Sequence, residues 1–186
     1  MKKIRLYLVV LAMFASGCRG EAISRADEAS INSSLGSVAN IRAGMSLADL
    51  SELGLPMRFR SVLIEGDSYA VVDAVIGSGA IVECLMESEK VYSLTVTSPL
   101  LRDEEGMGVG STLSELRATY PTGRLLIGDE DGKFASFVNG TKVVFGLRQD
   151  MFDPKCFDSM AMGCAEPKEV VVVKVVVNSG PASWIR

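Results

Sequence analysis

The sequence contains no histidine. Histidine is the commonest general base and the commonest metal ligand, so its absence excludes Ser-His-Asp and Cys-His catalysis. The four cysteines also lack the close spacing of a zinc site. From these absences we expect no catalytic residue, no metal site and no cofactor. A site made of carboxylates stays open, because acidic residues that are distant in sequence can meet in space.

Long basic runs are absent after the first few residues, and this excludes the charge footprint of a nucleic-acid-binding protein. The full chain has 19 basic and 23 acidic residues, a net charge of −4. Its first 17 residues hold three of the basic ones, so the remainder has 16 against 23 and a net charge of −7. An anionic membrane does not attract so acidic a protein, so residence at a membrane would require an anchor.

The start of the chain has the three parts of a secretory signal. Lys2, Lys3 and Arg5 precede an apolar run over residues 6–14, and small residues follow at 15–17. The run is about half the ~20 residues that a membrane-spanning helix needs. We therefore predict that residues 1–17 are a cleaved signal peptide.

The segment Ala15-Ser16-Gly17-Cys18 resembles the lipobox of bacterial lipoproteins, with Ala15 where Leu is usual. The resemblance implies cleavage before Cys18 and fatty acyl chains on that residue, and several chains anchor a protein stably. Arg19 implies, for a bacterium with two membranes, an outer-membrane location facing the periplasm. The alternative is an ordinary signal peptide followed by an incidental cysteine.

Residues 18–39 are largely polar and small, and we predict a flexible tether there. The folded part is expected from Asn40 onward, and it contains an internal repeat. Gly44-Met45-Ser46-Leu47-Ala48-Asp49-Leu50 matches Gly110-Ser111-Thr112-Leu113-Ser114-Glu115-Leu116. Ser46 and Thr112 are predicted helix N-caps, each with an acidic residue three positions later to close a capping box. The repeat divides the fold into units 40–99 and 100–186.

Strand patterns and turn residues follow each predicted helix. The expected strands are 58–65, 69–76, 80–87 and 90–97 in the first unit, and 124–128, 133–139, 142–148 and 169–178 in the second. We predict an α+β fold in which each unit is a short helix followed by an antiparallel β-meander. In the last strand, alternation predicts that Val171, Val173, Val175 and Val177 face the core.

Export implies an oxidising compartment, in which disulfides form. With Cys18 assigned to lipid, we pair Cys156 with Cys164 across a short turn-rich loop, which would stabilise the fold by about 2.5 kcal/mol. Alternation in its strand predicts that Cys84 is a buried, inert thiol. Pairing of Cys84 with one of the other two stays open, whereas a catalytic thiol lacks a nearby basic group.

Two sets of motifs carry resemblances to known families. Asn40-Ile41-Arg42-Ala43-Gly44-Met45-Ser46, with Gly54 and Pro56 downstream, resembles the opening motif of BamE-type assembly lipoproteins and the repeat of the β-lactamase inhibitor protein. A longer pattern is similar to a family of bacterial lipoproteins of unknown function; it combines Thr95-Val96-Thr97-Ser98-Pro99, Gly106-Met107-Gly108-Val109-Gly110-Ser111-Thr112 and Trp184-Ile185-Arg186. This second resemblance spans about residues 40–186 and implies a two-part α+β fold with no known activity.

Three loops are candidate sites for a phosphate group or a metal ion. The glycine-rich loop 106–112 resembles a phosphate cradle but lacks the P-loop lysine, so a turn leading into a capped helix is favoured. The acidic tip 129–132 is too short for an EF-hand. Asp150, Asp153 and Asp158 lie in or beside the predicted disulfide loop, where a weak cation site is the alternative to a solvated loop.

The predicted disulfide loop is rich in adaptable apolar side chains. These are Met151, Phe152, Phe157, Met160 and Met162. Methionine and aromatic residues are common at contact surfaces, which makes the loop a candidate partner-binding site. The alternative is that they form a small satellite core against the sheet.

We expect a non-enzymatic envelope lipoprotein that binds a protein or another envelope component through a sheet face or the 151–162 loop. One alternative is a periplasmic hydrolase or a binder of small ligands or cations that uses carboxylates. Another is an inhibitor of an exported enzyme, which rests on fold analogy alone.

Overall fold

The computed structural model describes residues 30–129, 132–157, 167 and 169–180. Its strands are β1 Ile31–Asn32, β2 Ser37–Val38, β3 Ile41–Arg42, β4 Met57–Ile64, β5 Asp67–Val75, β6 Ile81–Glu87, β7 Lys90–Val96, β8 Arg124–Gly128, β9 Phe134–Val138, β10 Val143–Leu147 and β11 Val172–Asn178. The helices are α1 Leu47–Glu52 and α2 Leu113–Thr119, with 3-10 turns at Gln149–Met151 and Pro154–Phe157.

Among the described residues, the strands form one large sheet and one small sheet. The large sheet is antiparallel and has eight strands, in the order β4-β5-β6-β7-β11-β10-β9-β8. The small sheet contains β1, β2 and β3. All eight strands predicted from the sequence are present, each within three residues of its expected ends.

The predicted fold class is nevertheless wrong. The protein is mostly β, and its strands do not divide into two helix-plus-meander units. Because β7 pairs with β11, strands from both halves of the sequence join one continuous sheet. The two helices have only six and seven residues, which is too short to form a separate helical layer against the sheet. Strand periodicity identifies strands but does not show which strands pair.

Both predicted capping boxes are confirmed. The hydroxyl oxygen of Ser46 accepts the amide of Asp49, and the Asp49 carboxylate accepts the amide of Ser46, each at 3.1 Å. Thr112 and Glu115 make the same reciprocal pair at 3.2 Å and 2.7 Å. These hydrogen bonds hold the pKa of both carboxyl groups below the usual values. α1 ends near Gly54, whose positive φ of 64° suits glycine, and α2 ends before Pro121.

The folded part begins earlier than Asn40. Ile31 and Val38, inside the segment predicted to be a tether, are fully buried. The Ile31 amide donates to the Arg102 carbonyl at 2.8 Å, and the Ser33 amide donates to the Glu104 carboxylate at 2.9 Å. Residues 30–39 are therefore part of the folded domain and not of a tether. Their apolar side chains Ile31 and Val38 lie in its core.

The core lies on one face of the large sheet. The small sheet, α1 and α2 contribute the buried side chains of Ile41, Leu50 and Leu116 to the same cluster as Val82 and Phe145 of the large sheet. In β11 the predicted core face is partly wrong. The register with β10 shifts between Gly146 and Leu147, so that Val172 is buried in place of Val173. A β-bulge of this kind adds one residue and reverses the alternation beyond it.

Candidate protein-binding surface

The strand β4 forms one end of the large sheet, and among the described residues it pairs only with β5. It has eight residues, no proline and no register shift. Natural proteins usually protect such edges with short strands, prolines, bulges or covering loops, because a bare edge is a template for another strand. We call the side of β4 that faces away from β5 the free β4 edge.

The pairing with β5 decides which backbone groups the free β4 edge presents. The Val75 amide donates to the Pro56 carbonyl at 2.9 Å, and the next pair along is Met57 with Ala74. In an antiparallel ladder, hydrogen-bonded and non-hydrogen-bonded pairs alternate. The backbone N–H and C=O groups that point out to the free β4 edge are therefore those of Met57, Phe59, Ser61 and Leu63.

Apolar side chains accompany this free backbone. Phe59 is 60% exposed and Leu63 is 78% exposed, and both lie on the core side of the sheet, since Phe59 pairs with the buried Val72. Ile64, on the other side of the sheet, is also exposed. Isolated exposed apolar residues are ordinary, but a set along a strand with one unpaired edge is typical of a surface that another chain covers.

The opposite end of the sheet is different. β8 has only five residues, and the 3-10 turn Pro154–Phe157 contacts it. Leu125 and Ile127 of β8 are partly buried and pack against the core cluster. Lys133 holds its ammonium group 5.5 Å from the ring centroid of Phe157. Among the described residues the two ends of the sheet are thus unequal, and β4 is the longer and more exposed of the two.

A charged row crosses the outward face of the sheet beside this edge. The guanidinium of Arg60 donates to the Asp73 carboxylate at 2.9 Å and 3.1 Å, and it also donates to Glu83. These carboxylates raise the pKa of Arg60, with Asp73 the larger cause. The side chain is therefore drawn over β5 and β6, away from the free β4 edge.

No protein-family model matches this sequence, and no curated protein sequence matches it. The fold is similar to the crystal structure of the uncharacterized protein yfeY from Escherichia coli. The TM-score is 0.49 at 10% identity, covering 81% of this chain and 99% of that chain. No functional residue is transferred from it.

The residues proposed for partner binding in the 151–162 loop lie in two environments. Phe152 and Phe157 are buried and pack edge-to-face, with ring centroids 6.1 Å apart. Both belong to the main hydrophobic core of the protein and not to a separate satellite core. Met151 is 38% exposed, and Met160 and Met162 lie outside the described residues. The two aromatic anchors of that loop are therefore not available on the surface.

The cysteines agree in part with the sequence predictions. Cys84 is free and fully buried, as predicted. Burial, with the nearby Asp73 and Glu83 carboxylates, raises the pKa of its thiol to about 12. Cys156 is disulfide-bonded, and its predicted partner Cys164 lies outside the described residues. Cys18 also lies outside them, so its lipidation stays a prediction.

The glycine-rich loop 106–112 uses its own amides internally. The amides of Gly106 and Met107 donate to the carbonyl and the carboxylate of Asp103, at 3.0 Å and 2.7 Å. The Gly108 amide donates to the Ser111 hydroxyl oxygen, and the Gly110 amide donates to the Val172 carbonyl. A phosphate cradle needs amides that point at the ligand. The loop is thus a turn that leads into α2, as the sequence favoured.

Asp103 fixes the conformation of that loop by accepting hydrogen bonds from three groups. One carboxylate oxygen accepts the Glu105 and Met107 amides, and the other accepts the Tyr120 hydroxyl. Burial raises the pKa of Asp103 above its usual value, although these hydrogen bonds act in the opposite direction. Burial and the Asp103 charge raise the pKa of Tyr120. The pair holds the loop against α2.

Metal and carboxylate sites were also among the sequence alternatives. Within the described part of the chain, no three His, Cys, Asp or Glu side chains converge as metal ligands. Asp129 and the pair Asp150 and Asp153 are described, whereas Asp131 and Asp158 lie outside the described residues. No described helix has the length and apolar character needed to cross a bilayer.

The β4 residues were missed as a binding surface at the sequence level. The alternation of Arg58, Phe59, Arg60 and Leu63 predicts a strand with one apolar and one charged face. It does not reveal that this strand lies at the end of the sheet, because neighbours in a sheet depend on distant pairings. The signal that the sequence offered was the alternation itself, which indicates a strand without showing what lies beside it.

Proposed function

We propose that this protein is a lipid-anchored lipoprotein of the bacterial envelope that binds a protein partner, without catalysis, by strand pairing on the free β4 edge. The observation that carries the proposal is the long edge of β4, which has no second strand neighbour among the described residues and carries the exposed Phe59 and Leu63. Strand addition to an open edge gains main-chain hydrogen bonds, and side chains at alternate positions provide specificity. An edge that is so easily paired would be a liability to a protein without a partner.

The anchor limits where the partner lies. If Cys18 carries the lipid, eleven residues separate it from Ser30, the first described residue. Even fully extended, a segment of this length spans at most about 40 Å. The domain therefore stays close to the membrane surface. We propose the outer membrane, facing the periplasm, as its location.

The anchor is tested by membrane fractionation of cells that express the full chain or its Cys18→Ala variant. We expect the full chain in the membrane fraction and the variant in the soluble fraction, because one residue carries the acyl chains. Membrane association of Cys18→Ala at the level of the unaltered chain would contradict the lipoprotein proposal.

The binding surface is tested with a photoreactive amino acid placed at Ser61 of the full chain in intact cells. Lys174, which is exposed on β11 in the interior of the same sheet, is the matched control position. We expect a defined cross-linked product from position 61 and none from position 174. Absence of a product at position 61, or equal products from both positions, would refute the free β4 edge as the surface.

A further inference from the structure

We propose that the partner strand on the free β4 edge is β4 of a second copy of this chain, in an antiparallel register centred on Ser61. This inference rests on the proposed function, since it names the occupant of the same surface. Two features of β4 support it: the positions of its outward backbone groups and the match of its exposed apolar side chains.

The backbone groups fit this register. Three of the four outward residues, Phe59, Ser61 and Leu63, take part. A two-fold axis at Ser61 places Ser61 opposite Ser61 of the second copy, and Phe59 opposite Leu63 of the second copy. Each of these three residues then faces another outward residue, so about six backbone hydrogen bonds form across the junction.

The side chains fit the same register. Phe59, at 60% exposure, would contact Leu63 of the second copy, at 78%, on the core side of the joined sheet. Aromatic and aliphatic side chains that are directly opposite stabilise an antiparallel pair. On the other face, Arg58 would lie beside Ile64 of the second copy, and its aliphatic stem would cover that exposed side chain.

Side-chain matching selects this register over its neighbours. A register centred on Arg60 would place Phe59 opposite Ser61 and Leu63 opposite Met57 of the second copy, so the strongly exposed Phe59 and Leu63 would not meet. A register centred on Val62 would place Phe59 opposite Glu65, which lies in the β4–β5 turn with a positive φ of 53°. In the register centred on Ser61, Arg60 lies opposite Val62 and stays bound to Asp73 and Glu83.

A single pair of strand edges is a small interface, and membrane anchoring compensates for this. Two copies on one bilayer meet at an effective concentration far above that of the same chains in solution, and avidity rises without new contacts. The second copy also brings an identical edge of the same length, so neither β4 strand is left with exposed backbone groups between residues 59 and 63.

The test uses variants of the full chain that each carry one added cysteine. Each variant is oxidised in intact membranes, and the products are then separated by mass without reductant. In the proposed register, Cα atoms of the two residues at position 61 lie about 5.5 Å apart. That distance suits a disulfide. Ser61→Cys is therefore expected to form a product of twice the monomer mass. Leu100→Cys, at an exposed position away from β4, reports random collision and is expected to remain monomeric.

The register is tested by two further variants. Phe59→Cys alone would lie about 14 Å from its own copy, too far for a disulfide. Phe59→Cys co-expressed with Leu63→Cys is expected to form the mixed dimer. Efficient cross-linking of Phe59→Cys alone would overturn the register centred on Ser61.

The outcomes separate this inference from the proposed function. If Ser61→Cys stays monomeric while a photoreactive residue at position 61 joins a different protein, the second-copy proposal is overturned and the binding surface stands. If position 61 gives neither product, both proposals fail. Dimerisation of Ser61→Cys at only the Leu100→Cys level also overturns the second-copy proposal.

Discussion

The Nε atom of Arg60 lies 2.9 Å from one carboxylate oxygen of Asp73 and 3.1 Å from the other, across the outward face of the sheet. The same guanidinium reaches Glu83 on the next strand, so one side chain joins β4, β5 and β6. This pair supports the strand that carries the proposed binding surface. It also removes from the free β4 edge a charge that would otherwise repel a second β4.

Loss of this pair should loosen β4 selectively. Asp73→Asn removes the charge that faces Arg60 and leaves the shape of the side chain. We expect a small decrease in Tm and faster hydrogen exchange of the β4 amides that face β5, with little change in β10 or β11. Thr95→Ser, on the same face of the sheet, is the control. Uniform exchange changes across the sheet would contradict a local role for the pair.

The buried pair of Asp103 and Tyr120 should govern the stability of the 106–112 loop. Tyr120→Phe removes the hydroxyl that donates to Asp103 and leaves the ring stacked on Phe145, 6.0 Å away between centroids. A buried acceptor without its donor costs about 1–3 kcal/mol. Urea unfolding of the variant should show this loss at an unchanged m-value. A free energy of unfolding equal to that of the unaltered chain would contradict the assignment.

Asp103 also predicts a pH dependence of defined sign. Its pKa is raised in the folded state, so its contribution to stability is complete below the unfolded value of 3.8 and is lost as the pH rises through the folded value. Asp103→Asn does not titrate. The Tm of Asp103→Asn minus the Tm of the unaltered chain should therefore rise between pH 3 and neutrality. A difference that is constant or falls with pH would show that burial does not control this carboxyl group.

Thr112 should stabilise the start of α2. Its hydroxyl accepts the Glu115 amide at 3.2 Å. Thr112→Ala is expected to lower the free energy of unfolding by about 1 kcal/mol at neutral pH, and Thr112→Ser should retain most of the stability. Glu115 has a lowered pKa, so its own contribution is present above its unfolded value and is lost as the pH falls through the folded one. Equal stability of the Ala and Ser variants would contradict the capping role.

Cys84 should be unreactive in the folded protein. Its thiol is buried, and its pKa is raised to about 12, so little thiolate exists at neutral pH. Ellman's reagent at pH 8 is expected to react with Cys84 only after unfolding in denaturant. Rapid reaction of the native chain, mapped to Cys84 by peptide mass, would contradict the buried position. Ser61→Cys provides a matched exposed thiol on the same sheet.

Local structure could be predicted from this sequence to a greater extent than the assembly of its elements. The strands and both capping boxes follow from apolar alternation and from Ser or Thr placed three residues before an acid. The pairing of β7 with β11 links Thr95 to Val176 across some eighty residues, and no local pattern encodes it. The fold class was wrong for that reason.

The candidate binding surface also could not be predicted from the sequence, because its exposure depends on contacts between residues that are distant in the chain. Ile31 and Val38 lie in a polar segment, and their burial is visible only when the small sheet packs under the large one. Phe152 and Phe157 were correctly identified as apolar residues in a loop, but the sequence left open whether they face a partner or the core. Phe59 and Leu63 were placed in a strand without any indication that the strand lies at an edge.

The central claim is that the free β4 edge binds its partner through main-chain hydrogen bonds. The most direct measurement is the yield of photo-cross-linked product from position 63 in the Ser61→Pro variant of the full chain. Proline removes the outward amide of Ser61 and leaves the hydrogen bonds of β4 to β5 in place, because proline is tolerated on the open side of an edge strand. We predict loss of the product in Ser61→Pro, retention of it in Ser61→Thr, and similar Tm values for both variants. An undiminished product in Ser61→Pro, at an unchanged Tm, would contradict the claim.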